Sequence, residues 1–143
     1  MKLQLSQIFE LFQPYFLEQT EDISKIKEPV VIKLAKHNLS IETRFSIKQI
    51  MRKLELISKD IEEERKKLIE ELGDKDENGK LIFVQDGQGV KINKENLDIF
   101  DTKFKNFLKE EIEIDITPID INLIKGFEID EIGFSRLEFL FKQ

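Results

Sequence analysis

A short acidic segment in the middle of the chain resembles the first half of a calcium-binding loop. Asp74, Asp76 and Asn78 place oxygen-bearing side chains at alternate positions, and Gly79 follows where such a loop turns sharply. The end of the loop differs, because Gln85 stands where a bidentate Glu is needed. Asp, Asn and Gly are also the ordinary residues of a tight turn. We therefore favour a turn after a helix and keep a weak calcium site at Asp74, Asp76 and Asn78 as the alternative.

A second acidic cluster consists of Glu110, Glu111, Glu113 and Asp115. The last three alternate with Ile residues, which places their carboxylates on one face of a strand. Paired carboxylates can serve a hydrolase or bind a metal ion. We favour a solvated strand face that discourages edge pairing, because no second carboxylate cluster with metal-ligand spacing accompanies it. These four residues, together with Glu64, are candidate contacts for a protein partner.

The remaining reactive residue types do not form a recognisable catalytic set. His37 is the only histidine, and a histidine acting as general base needs a positioned partner that the sequence does not identify. The chain has no cysteine, which excludes disulfides, cysteine-based zinc sites and thiol catalysis. The segment 86–89 contains two glycines but lacks the Lys-Ser/Thr of a phosphate loop, so it predicts a hairpin turn. We predict no catalytic residue, no cofactor and no enzymatic activity.

The composition and charge favour a globular protein that does not bind nucleic acid directly. Charged residues make up 36% of the chain and apolar residues 40%, which suits long solvated helices around a core. The net charge is −6, and residues 74–143 carry all of it with ten basic and sixteen acidic residues. Nucleic-acid-binding proteins usually show a basic patch instead. No apolar run is long enough for a membrane span and no secretory signal follows Met1, so we predict a cytoplasmic protein without membrane association.

The longest predicted element is a helix over residues 40–72. Ser40 is a suitable N-cap, and Gly73 is a suitable stop. The apolar residues of this helix follow three- and four-residue spacings, at Ile47, Ile50, Leu54, Ile57, Ile61 and Leu68. Such a stripe can pack against other helices of the same chain, which we favour, or pair with a second copy to form a homo-oligomer.

The other patterns predict an α+β fold with three to four shorter helices and a small, mainly antiparallel sheet. Helical periodicity predicts the shorter helices at residues 3–18, 29–37, 94–109 and 130–141. Alternating and apolar runs predict a strand over 111–117 and a hairpin of residues 81–84 with 90–92. We predict a single domain over residues 1–143, with residues 1–28 forming a peripheral helix and connector.

Two runs of the sequence resemble a known protein family. They are Glu62-Glu63-Glu64-Arg65-Lys66-Lys67-Leu68-Ile69 and Gly73-Asp74-Lys75-Asp76-Glu77-Asn78-Gly79-Lys80-Leu81. The family is a bacteriophage family catalogued as domain of unknown function 1617, found in phages and prophages of Gram-positive bacteria. Lys33-Leu34-Ala35-Lys36 and the later order of helix, Glu-Ile-Glu-Ile strand and terminal helix also fit it, so the resemblance covers about residues 29–141. It implies a small phage accessory protein inside the host cell, with no catalytic residues to transfer.

We therefore expect a function in protein–protein interaction, with a role in virion or tail assembly. The alternative is an anti-defence inhibitor that binds a host enzyme through the acidic C-terminal half. Residues 110–138 hold nine acidic residues against Lys125 and Arg136, a charge that would mimic nucleic acid. Both hypotheses predict a protein partner, either a phage structural protein or a host protein.

Overall fold

A computed structural model describes residues 1–16, 26–84 and 89–142 of the chain. The helices of this part are α1 (Leu5–Leu11), α2 (Val30–Lys36), α3 (Ile41–Leu72), α4 (Lys94–Leu108) and α5 (Glu131–Leu137). The strands are β1 (Lys2–Gln4), β2 (Tyr15–Phe16), β3 (Ile26–Lys27) and β4 (Glu111–Glu113). Two 3₁₀ turns, Ile121–Ile124 and Glu138–Leu140, flank α5. The result is the predicted α+β fold, with one dominant helix and short antiparallel strand pairs.

The long helix α3 begins and ends where the sequence predicts. The Ser40 hydroxyl accepts a hydrogen bond of 3.3 Å from the backbone N–H of Thr43, which caps the first turn. At the other end, the Gly73 N–H donates to the Ile69 carbonyl at 2.7 Å. Gly73 has an extended backbone, and a Cβ there would lie 2.8 Å from the side chain of Leu81. Gly73 is therefore required for close packing of the chain after α3.

The apolar stripe of α3 is buried against the rest of the chain, as the favoured intramolecular interpretation predicts. Its central residues are at most 7% exposed: Ile47, Ile50, Leu54 and Ile61. Ile57 and Leu68 are partly buried against the same core. α4 packs against α3, and at the end of α3 the Asn96 side chain of α4 donates a hydrogen bond of 3.0 Å to the Leu72 carbonyl. A homo-oligomer formed through α3 would have to use a different face of the helix.

The N-terminal segment differs from the predicted helix over residues 3–18. β1 pairs antiparallel with β4, with Leu3 opposite Ile112, and within the described residues 3–16 the α-helix is confined to Leu5–Leu11. Tyr15 belongs to β2, which pairs with β3. The helical periodicity was misleading because a partner strand more than one hundred residues away competes for the backbone of β1, and Pro14 blocks continuation of α1. Residues 17–25, which cover the end of the predicted helix and most of the predicted connector, lie outside the described residues.

The described part of the N-terminal segment is central to the core, so the prediction that it is peripheral is wrong. Leu3, Leu5, Ile8, Leu11 and Tyr15 are all at most 6% exposed. They pack with α3, α4 and α5 around one hydrophobic cluster. The buried residues of α1, Leu5, Ile8 and Leu11, recur every three positions, which suits a helix covered on one side.

The predicted strand over residues 111–117 is paired for a shorter length. β4 ends at Glu113, and the Ile114 N–H continues the ladder by donating to the Met1 carbonyl at 2.8 Å. The alternation nevertheless persists, because Ile114 and Ile116 are buried while Asp115 is exposed. The predicted last helix is also shorter: α5 ends at Leu137 and a 3₁₀ turn follows.

The predicted hairpin after α3 is present as isolated bridges instead of regular strands. Phe83 pairs antiparallel with Val90, and the Lys91 N–H donates to the Ile82 carbonyl at 2.7 Å. The connecting residues 85–88, which include most of the predicted turn and Gln85, lie outside the described residues. The α4 helix begins at the predicted cap, since the Asn93 side chain accepts from the Asn96 N–H at 2.8 Å.

Candidate interaction surface

The two acidic residues of β4 have cationic neighbours in the N-terminal segment. The Glu113 carboxylate lies 2.9 Å from the Met1 amino group, and Glu111 lies 3.6 Å from the Lys2 ammonium group. The register places Lys2 opposite Glu113 and Gln4 opposite Glu111, so Lys2 reaches Glu111 diagonally across the strand pair. The pairs are largely exposed, so each contributes little to stability. They do reduce the negative charge that this strand presents to a partner.

The other acidic candidates are spread over different elements. Glu110 and Asp115 are exposed on either side of β4, and the Asp115 carbonyl accepts a hydrogen bond of 2.6 Å from Lys53 of α3. Glu64 lies in the second half of α3, where it pairs with Lys67 at 3.6 Å. Within the described residues, Glu64 shares no hydrogen bond or ion pair with the acidic residues near β4. The predicted candidates therefore form a cluster only around β4.

The calcium-like segment uses its carboxylates to hold the backbone. One Asp76 oxygen accepts from the Asn78 N–H at 2.9 Å and from the Lys80 N–H at 3.0 Å. Asp74 accepts from the backbone N–H of Asn93 at 3.2 Å. The described ranges contain no group of three or more His, Asp or Glu side chains arranged for a metal ion. The geometry is that of the favoured turn, and the calcium site stays a prediction.

His37 ends α2 and faces groups that do not activate it. Its Nε2 atom lies 3.4 Å from the Lys125 carbonyl, and its ring packs edge-on against Phe127 with 5.2 Å between ring centroids. Neither neighbour is a carboxylate, which is the partner that a histidine base usually needs. The local arrangement ties the end of α2 to the segment before α5.

A basic region on α2 and the first half of α3 is not evident from the charge of long segments. Residues 29–53 contain six basic residues against Glu42, a net charge of +5 in a chain of net charge −6. The spacing of Arg44, Lys48 and Arg52 is the signal that reveals it, since residues four apart lie on the same side of a helix. Counting charge over residues 1–39 and 40–73 hides this region because each of these segments sums to zero.

Three of these basic residues border a groove between α2 and α3. The groove has a volume of about 250 Å³. Its floor is apolar and includes Leu34, Ile47 and Met51. Arg44, Lys48 and Arg52 lie along its α3 side, and all three are exposed.

A second groove lies on the other side of the same half of α3. It is open, has a volume of about 300 Å³, and is bounded by Phe45, Gln49 and Lys53 of α3 and by the segment 115–117 after β4. The Phe45 side chain is 62% exposed, and its neighbour one turn earlier, Ile41, is 68% exposed. The first half of α3 thus presents two large apolar side chains to solvent between two grooves.

The polar side chains that line the two grooves are cationic, amide and hydroxyl groups, together with one carboxylate in each groove, Asp115 and Glu55. In the described residues, no helix is long and apolar enough to cross a membrane. Comparisons with protein families, with curated proteins and with solved structures find no match.

Proposed function

We propose that this chain is a non-catalytic phage accessory protein that binds another protein during virion or tail assembly. The phage context rests on the resemblance of residues 29–141 described above. The observation that carries the binding role is the exposure of Ile41 and Phe45 at the start of α3, at 68% and 62%. Residues four apart on a helix are neighbours, so these side chains form a joint apolar patch.

The patch has features that favour a protein partner. Aromatic side chains are enriched among residues that dominate binding energy at protein interfaces. Phe45 stands beside the groove that residues 115–117 form with α3, so a partner side chain can pack against the Phe45 ring and enter the groove. Eleven residues make about three helical turns, so Leu56, which is 66% exposed, lies on the same side of α3 as Phe45. The apolar surface therefore extends along the outer face of α3.

The test is capture of partners with the tagged protein from infected and uninfected host lysates. We expect phage structural proteins to be recovered from infected cells only, and Phe45→Glu to abolish their recovery. Phe83→Glu is the matched control, because Phe83 is 60% exposed but follows the far end of α3. Recovery of the same proteins by Phe45→Glu would place the interface elsewhere, and recovery of no phage or host protein would contradict the proposal.

The alternative is a host-directed inhibitor that uses the acidic C-terminal half. It is supported by the exposed carboxylates of Glu113 and Asp115, which flank the buried Ile114. In that case one host enzyme is recovered from both lysates, and its binding falls steeply with salt. Reversing the charge of Glu113 and Asp115 to Lys then abolishes binding, and survival of binding in this variant excludes nucleic-acid mimicry at these residues.

A further inference from the structure

The groove between α2 and α3 has an apolar floor that the chain leaves partly open. Leu34 and Ile47 are 0% and 3% exposed and form its base. Leu39 and Met51 are only partly buried beside them. Ala35 lines the groove with a small, exposed side chain, so α2 does not close it. The groove can therefore accept an additional apolar side chain.

One edge of this groove carries three cationic side chains in a row. Arg44, Lys48 and Arg52 are spaced by four residues, which places neighbouring side chains about 6 Å apart along α3. Within the described part of the chain, none of the three has a carboxylate within ion-pair distance. Glu55 also lines the groove, one turn beyond Arg52, and its carboxylate is paired with Lys59 at 3.9 Å. The row is therefore available to an external anionic group.

The size and shape of the groove restrict what can occupy it. At about 250 Å³ it is smaller than the pockets that usually enclose a whole small-molecule ligand, so it accommodates only one or two side chains of a longer partner. A flat bilayer surface cannot reach the floor of a concave groove. Single-stranded nucleic acid is bound by stacking on aromatic side chains, whereas this floor is aliphatic.

We propose that this groove binds an acidic amphipathic helix of a partner protein, whose apolar side chains enter the groove while its carboxylates face Arg44, Lys48 and Arg52. Acidic residues spaced by four on such a helix match the spacing of the three cations. The inference rests on the proposed function, in that it names the chemistry of a protein partner. It concerns a surface next to the Ile41–Phe45 patch and separate from it.

The test is a selection of displayed random peptides on the full-length protein, followed by fluorescence anisotropy with the enriched peptides. We expect enrichment of peptides that combine acidic residues at helical spacing with Leu, Ile or Phe. Replacing Arg44, Lys48 and Arg52 together by Glu is expected to weaken binding by about tenfold or more, because three attractions become repulsions. The matched control replaces Lys94, Lys103 and Lys105 of α4 by Glu, which makes the same change in net charge at exposed positions.

A second variant tests binding in the groove without changing Arg44, Lys48 or Arg52. Ala35→Glu places a carboxylate in the groove at an exposed helix position, so folding is retained while acidic peptides are repelled. Equal binding by wild type and both groove variants, or preferential binding of anionic vesicles or single-stranded RNA over the peptides, would overturn the inference. Loss of lysate partners in Phe45→Glu but not in the groove variants would leave the proposed function intact while removing this inference.

Discussion

The Tyr15 hydroxyl donates a hydrogen bond of 2.8 Å to the Asp130 carboxylate, which joins β2 to the N-cap of α5. The second Asp130 oxygen accepts from the Gly133 N–H at 2.7 Å. Arg136 stacks its guanidinium over the Tyr15 ring at 4.8 Å and donates to the Gln13 carbonyl at 2.9 Å. Burial raises the pKa of Asp130, but the hydrogen bonds from Gly133 and Tyr15 outweigh burial and hold that pKa below its usual value. These contacts fasten the N-terminal segment to the C-terminal helix.

Removing the Tyr15 hydroxyl is expected to destabilise the fold. Tyr15→Phe leaves the ring in place and removes one hydrogen bond to a charged acceptor, so we expect a loss of about 1–2 kcal/mol in the free energy of unfolding. Urea unfolding followed by circular dichroism measures it. In an Asp130→Ala background, which has no acceptor for the hydroxyl, the same change should cost less because the two residues are coupled. Equal costs in both backgrounds would mean that this hydrogen bond contributes nothing.

The stability is also expected to fall at alkaline pH through Tyr15. Burial, then the hydrogen bond and charge of Asp130, raise the pKa of Tyr15 to about 12 from 10.0. Because the pKa is raised in the folded state, this stabilisation is present below pH 10.0 and is lost as the pH rises towards about 12.

The chain contains one Tyr and no Trp, so tyrosinate absorbance reports this group alone. We expect the folded protein to titrate well above the urea-unfolded protein. Coincident titration curves for the two states would contradict the buried, hydrogen-bonded environment of Tyr15.

Gly133 is expected to be intolerant of a side chain. A Cβ at this position would lie 2.6 Å from Ile129 and 2.8 Å from the Tyr15 hydroxyl oxygen. Gly133→Ala should therefore displace Tyr15 and lower the free energy of unfolding by about 1–3 kcal/mol, despite the better helix propensity of Ala. The control is Ser135→Ala at an exposed position of the same helix. A Tyr15 pKa that is unchanged in Gly133→Ala would show that the contact is not formed as described.

Two leucines of α3 provide a direct test of which face is buried. Leu54 is 0% exposed and Leu56 is 66% exposed. Leu54→Ala is expected to cost about 2–5 kcal/mol because it leaves a cavity in the core. Leu56→Ala is expected to change stability by less than about 0.5 kcal/mol. Similar losses for the two variants, measured by urea unfolding, would mean that α3 is covered on its outer face as well.

Variants in the turn after α3 distinguish a structural role of Asp76 from calcium binding. Asp76→Ala removes the acceptor for two backbone N–H groups, so we expect a loss of about 1 kcal/mol even in the presence of a chelator. Glu77→Ala, at an exposed position of the same turn, is the control. The calcium alternative predicts a rise in Tm of wild type at millimolar calcium that Asp76→Ala abolishes, and an unchanged wild-type Tm would exclude it.

Local signals along the chain predict the helices α3 and α4 well. Ser40 and Asn93 act as N-caps through hydrogen bonds to residues three positions away, so the relevant geometry is contained in one turn of sequence. Asp130 caps α5 in the same way. The burial pattern of α3 follows equally from residue spacing, because one face of a regular helix is set by its period.

Other features of the chain depend on partners that are distant in sequence. The three residues of β1 include a single apolar residue, Leu3, and only the approach of β4 makes the extended backbone favourable there. The pairing of Tyr15 with Asp130 similarly requires α5 to pack beside the N-terminal segment.

The sequence by itself determined the fold class, the long helix with its caps and buried stripe, and the alternation of acidic and apolar residues after α4. These features follow from interactions within a few residues. The tertiary structure decided where the strands pair, that Lys2 and the Met1 amino group neighbour the β4 acids, and that α2 lies against α3 to form the basic groove. Those outcomes depend on which surfaces bury the most apolar area together, and pattern along one chain does not specify that choice.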